Sequence, residues 1–238
     1  MNTNAREAIL LATKRMAQSR GYSGLNLREI ALEVGIKAAS IHHHFPGKAE
    51  LAGAVAKRYS EDGAAALESI SQESPNSVDA LHRFPEIFRR SLEADNRLCL
   101  GSFMGVEIDD LPDGARAEIR LFADVNVAWI GMLLVAANVC ETKAAEDRAR
   151  AVFAAVAGAQ LLAKSRADIA LFDALVETYR TPALLDSCPH SLRTRVKETQ
   201  SVGAGGATPF KDWAQTKFQT TASNGMTLDQ SVFAVHTG

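Results

Sequence analysis

Three consecutive histidines, His42, His43 and His44, are the densest run of potential metal ligands and proton carriers in this chain of 238 residues. Successive helix positions project about 100° apart, so these imidazoles cannot converge on one ion as an i,i+4 pair can. No metal site is expected; phosphate contact, packing or solvent exposure remain for them. Cys99, Cys140 and Cys188 lie far apart with no CxxC spacing, which argues against a zinc site or a disulfide framework. Glu107, Asp109 and Asp110 are the obvious acidic cluster, in a stretch that reads as a solvated loop. With no GxSxG, P-loop, GxGxxG or HExxH pattern, the sequence predicts neither an enzyme nor a cofactor. An enzyme of unrecognised class would rest on that acidic cluster alone.

The histidines lie at the end of Asn26–Lys48, NLREIALEVGIKAASIHHHFPGK, which reads as two short helices hinged at Gly35. Asn26 is placed to cap the first, with Glu29 three residues on completing a capping-box-like pair. Leu27, Ile30, Ala31 and Val34 form its apolar stripe. In the second helix Ile41 and Phe45 face inward, leaving Lys37, Ser40, His43 and His44 on the opposite side, while small Ala38 and Ala39 permit close approach to another surface. Two helices crossing through a short Gly-containing turn match the helix-turn-helix unit, whose second helix enters the major groove of DNA. Pro46 and Gly47 end that helix, and Lys48 opens the next beside an expected phosphate.

Charge supports a nucleic-acid partner for this region only. Residues 1–58 hold nine Lys and Arg against four acids, a net +5, which leaves -7 for the remainder. A basic head releases counterions on meeting a polyanion. An acidic body disfavours the alternative of a non-specific DNA-binding protein, which would be basic throughout.

The pattern IAxxxGIxxxxIxxHFxxKxxL from Ile30 to Leu51, after GYxxLNLRE, resembles the N-terminal DNA-binding domain of the tetracycline-repressor (TetR) family. The resemblance covers roughly residues 6–58. It implies a homodimeric regulator, usually a repressor, whose C-terminal domain binds a small molecule and thereby releases an operator of double-stranded DNA. It implies DNA contacts from Arg28, Lys37, Ala38, Ala39, Ser40, His42, His43, His44 and Lys48. His42 stands where the family usually has Tyr, and Lys37 where Ser or Thr is common, so operator choice and pH dependence are left open by the comparison.

The rest of the chain reads as all-helical, with 47% hydrophobic residues, 6% aromatics and no convincing strand pattern. Residues 1–58 are assigned to the helix-turn-helix domain, 59–186 to a helical ligand-binding and dimerisation domain, and 187–238, rich in Gly, Ser, Thr and Gln, to a disordered tail. Helices are expected over 5–19, 48–71, 78–96 with Pro85 at a kink or start, 113–137, 143–165 and 168–179, with Ser77 as a cap. The N-terminus lacks the apolar run of a signal peptide, and the uncharged stretch Val125–Cys140 falls short of a membrane span, so a cytoplasmic protein is expected.

Within the family, cavities lie among the central helices. That comparison nominates Phe88, Phe103, Met104, Glu107, Phe122, Asn126 and Trp129 as pocket lining, and pairs the helices near 143–165 and 168–179 between two copies. Asn96–Ile119 resembles a branch in which a cysteine at this place senses electrophiles or oxidants. Cys99 holds that position; a helix N-terminus and nearby Arg97 would lower its thiol pKa. The alternative is a buried small apolar residue.

Overall fold

The computed structural model describes residues 3–180, with side chains from Ala5 onward. Among these residues there are ten α-helices and no strand: α1 (Thr3–Arg20), α2 (Leu27–Val34), α3 (Ala38–His44), α4 (Lys48–Glu73), α5 (Ser77–Arg83), α6 (Glu86–Glu93), α7 (Leu100–Val106), α8 (Asp113–Ala136), α9 (Thr142–Arg166) and α10 (Ile169–Arg180). The fold is all-α, as the composition and periodicity indicate. The tail predicted at 187–238, with Cys188, lies outside the described residues.

The chain forms two compact units. One comprises Met1–Ala65 with Phe88–Asp124, the other Ala66–Ile87 with the described residues from Val125 on. The first unit thus takes in α7, far from the N-terminal helices in sequence. Its core is built from Ile9 and Ala12 of α1, Ile30 of α2, Ile41 of α3, and Leu51 and Ala56 of α4, all with no accessible surface. Complete burial of an Ile or Leu side chain is worth about 1.5–3 kcal/mol before entropy is counted, so these contacts fix how the short α2 and α3 are held.

Local signals set the helix ends. The Asn26 side chain accepts the Arg28 and Glu29 amide N–H groups at 2.9 and 3.3 Å and caps α2. Gly35 ends α2 in the left-handed region at φ 75°, where a side chain would be strained. The single helix expected over 78–96 is instead two, because Pro85 falls between α5 and α6 and has no N–H to continue the ladder. Asn76 rather than Ser77 caps α5, accepting the Asp79 N–H at 2.9 Å.

In the second unit α9 buries Ala145, Ala149, Val152, Val156, Ala159 and Ala163 at i,i+3/i+4 spacing, and α10 contributes Phe172 and Val176. Small residues on one face let these helices approach closely. Outside that face, Leu161 and Leu162 of α9 are about half exposed. Starting at Asp113, α8 has 24 residues and an 18-residue window of mean hydropathy 1.7, so it is longer and more apolar than the uncharged stretch 125–140 implies. By length and composition it could cross a membrane, yet 56% of that window is buried inside the fold.

Candidate nucleic-acid interface

The inward side of α3 is fixed by Ile41 and Phe45, both buried. The exposed side is Lys37, Ala39, His42 and His43, while Ala38, Ser40 and His44 are half-buried. Ser40 and His44, turned outward by spacing, are thus only partly exposed, while His42, assigned to DNA through the family resemblance, is exposed. On the wheel His44 is only about 60° from Ile41, and its ring lies 6.5 Å from that of Phe45 and 6.0 Å from that of His43. His42 instead sets its ring nitrogen Nδ1 3.1 Å from the carbonyl oxygen of Pro46. Among the described residues, no three His, Cys, Asp or Glu side chains are grouped to hold a metal ion.

Ion pairing redistributes the basic charge of the head. Arg15 meets Glu33 at 2.6 Å, Arg20 meets Glu29 at 2.5 Å, and Arg58 meets Glu7 at 3.1 Å. Arg6 lies over the ring of Phe45 and Lys14 over that of Tyr59, at 5.2 and 5.1 Å. Arg28 on α2 and Lys37 at the N-cap of α3 are exposed and make no ion pair among the described residues, so their charge is available to a phosphate. Lys48 is engaged within the head, where its Nζ donates to the Ser23 carbonyl at 3.1 Å and sits 4.7 Å from the Tyr22 ring centroid. It ties the start of α4 to the turn between α1 and α2, a role the sequence pattern does not reveal.

That turn is held from another side by Glu107, which ends α7. Its Oε2 accepts the Tyr22 N–H at 2.6 Å, and its Oε1 accepts the Ser23 hydroxyl at 2.8 Å and the Ser23 N–H at 3.3 Å. Gly21 makes the approach possible: it has φ 72°, and a Cβ there would collide with the Glu107 carboxylate. At the other end of α7, Gln18 Nε2 donates to the Leu98 carbonyl at 2.9 Å. Glu107, expected in a pocket wall, is therefore a tether on the helix-turn-helix unit. Only the glycine of the GYxxLNLRE stretch hinted at this contact.

The remaining expected pocket residues are packed. Phe122 fills the space beside Gly63 and Gly101 and lies 5.3 Å from the Tyr59 ring, because both glycines leave room for it. Phe88 and Met104 are buried in the same unit and Phe103 is half-buried. Asn126 and Trp129 are buried in the second unit, where the Trp129 indole N–H donates to Ser71 Oγ at 2.9 Å and its ring lies 6.0 Å from that of Phe84. A small apolar recess of that unit, partly open to solvent, is lined by other residues, including Leu81, Phe84, Val152, Val176, Tyr179 and Arg180. Aromatic and Met residues at helical spacing indicate burial, and burial alone does not distinguish core from cavity.

Cys99 is the N-cap of α7, as its predicted place required, but it is 1% exposed. Burial pushes its thiol up, although hydrogen bonds from Tyr59, Ser102 and Gly101 pull the other way. Arg97 is paired with Asp95 at 2.7 Å. The expected lowering of the thiol pKa is thus reversed: removing a thiolate from water costs more than the helix end returns. The Tyr59 phenol is raised well above its ordinary range, first by burial and then by the neighbouring Cys99.

A tri-helical head with a capped α2, a left-handed glycine hinge and an outward α3 carrying Lys, His and small residues defines a helix-turn-helix DNA-binding protein. Residues 9–55 match the family described as bacterial regulatory proteins of the tetR family. A TetR transcriptional regulator from Legionella pneumophila is 27% identical at TM-score 0.69, covering 75% of this chain and 95% of its own. A TetR-family regulator from Agrobacterium tumefaciens is 24% identical at TM-score 0.69, covering 74% and 96%. The reduced form of NemR from E. coli is 20% identical at TM-score 0.64, covering 73% and 94%. No curated protein matches the chain. The N-terminal region thus matches the DNA-binding domain of tetR-family regulators, and the chain is similar in fold to a TetR transcriptional regulator over about three quarters of its length.

Proposed function

We propose that the protein is a cytoplasmic, homodimeric repressor that reads a two-fold symmetric operator through α3 and leaves it when a small molecule binds the C-terminal helices. The observation that carries this reading is the exposed Lys37–Ala39–His42–His43 surface over a buried Ile41 and Phe45. Arg28 and Lys37 supply phosphate contacts; Ala38, Ala39 and Ser40 lie at the N-terminal end of α3, where base edges are read. Leu161 and Leu162 of α9 offer the apolar surface for a second copy, and two copies suit half-sites one helical turn apart.

Release is a coupling free energy: effector and operator favour different arrangements of the dimer, so each weakens the other. The Glu107 tether on the Tyr22–Ser23 turn gives α7 a direct hold on the head. Fluorescence anisotropy at fixed salt tests the reading. The duplex upstream of the protein's own gene should bind about 1,000-fold more tightly than random duplex, and equal affinity for the two would refute specific regulation.

A further inference from the structure

We propose that His42 is a proton-gated DNA contact: its imidazole donates a hydrogen bond to a backbone phosphate only as the imidazolium. The inference rests on the DNA-binding reading and on one geometric fact. The Pro46 carbonyl can only accept, so the His42 Nδ1 at 3.1 Å from it carries the ring's first proton. In the neutral ring the remaining nitrogen, Nε2, then presents a lone pair, which a phosphate oxygen repels. A second proton turns Nε2–H into a charged donor. The contact to Pro46 removes the option, open to an untethered imidazole, of rotating a neutral N–H toward the DNA.

The surroundings leave the charge of His42 available for this. On its own element stand Lys37, His43 and His44, and on the elements around α3 stand Arg6 of α1, Arg28, Glu29 and Glu33 of α2, and Lys48 and Glu50 of α4. Glu29 and Glu33 are held by Arg20 and Arg15, Arg6 lies over Phe45, and Lys48 is bound to Ser23. None of these carboxylates is in ion-pair contact with His42. A phosphate is therefore the anion that its exposed edge meets when α3 lies in the groove. Protonation and DNA binding are linked, since imidazoles ordinarily change charge between pH 5 and 8.

The test is anisotropy with the upstream duplex at pH 6.0, 7.0 and 8.0 and constant salt, on the full chain and on two variants. Wild type should lose about 10-fold in affinity from pH 6.0 to 8.0. His42→Gln should lose most of that dependence, and His42→Arg, permanently charged, should bind with nearly the same affinity throughout. An undiminished pH dependence in both variants, or none in wild type, overturns the proposal while leaving the DNA-binding reading intact. Indifference to DNA sequence at every pH would overturn that reading instead.

Discussion

The Glu107 carboxylate accepts the Tyr22 amide N–H at 2.6 Å and so joins the last turn of α7 to the entry of the helix-turn-helix unit. Hydrogen bonds to a charged acceptor contribute about 1.5–3 kcal/mol. Glu107→Gln keeps the size and one acceptor oxygen but loses the charge. Its urea midpoint should fall by the equivalent of about 1–2 kcal/mol, and operator affinity should drop with it. Unchanged stability would show that the tether is replaceable by water.

Gly101 tests how closely α7 is seated. A Cβ at this position would lie 2.5 Å from Phe122 Cδ1, and the ring is confined by Tyr59 5.3 Å away. Gly101→Ala should destabilise the protein by about 1–3 kcal/mol despite the higher helix propensity of alanine. A gain in thermal midpoint would contradict the packing described.

The seating of Cys99 bears on its chemistry. With its thiol raised by burial, Cys99 should react with iodoacetamide more slowly than an unfolded-state cysteine at pH 7.5, by at least about 10-fold, and half-buried Cys140 should be modified first. Peptide mapping by mass spectrometry at timed quenches separates the two. Faster labelling of Cys99 than of the denatured chain would restore an activated thiol.

Glu118 gives a pH signature of stability. Burial raises its carboxyl above the ordinary range, opposed by Lys57 and reinforced by Glu61. A raised folded pKa means that the native state binds the proton more tightly than the unfolded chain. The associated stability is present below the unfolded pKa and is lost as pH rises through the folded one. Glu118→Gln should therefore raise stability at pH 7 relative to wild type and leave it little changed at pH 4. Denaturant titrations at the two pH values check the sign; a destabilised variant at pH 7 would reverse it.

How much of the fold and the interface was legible in the sequence depended on distance along the chain. The Asn26 cap, the Gly35 hinge and the Ile41/Phe45 inward pair are local patterns, and each is found where the residue spacing placed it. Ser40 and His44 are half-buried although spacing turned them outward, because a short helix is rotated by what it packs on, which spacing alone underdetermines. Glu107 lies 85 positions from Tyr22, and nothing in either segment's periodicity names the other. Cys99 sits at a helix start as its neighbours suggest, but its thiol is raised by burial, against the hydrogen bonds of Tyr59 and the first turn of α7, and only the folded chain assembles that balance.

The most direct measurement concerns Ala39, exposed on the outward side of α3 between Lys37 and His42. Ala39→Glu places a carboxylate against the phosphate-lined groove while touching none of the buried contacts. Operator affinity by anisotropy should fall at least about 100-fold, through lost fit and charge repulsion, with the thermal midpoint unchanged within about 2 °C. Binding within about 3-fold of wild type in a variant of equal stability would contradict the assignment of α3 as the DNA-reading helix.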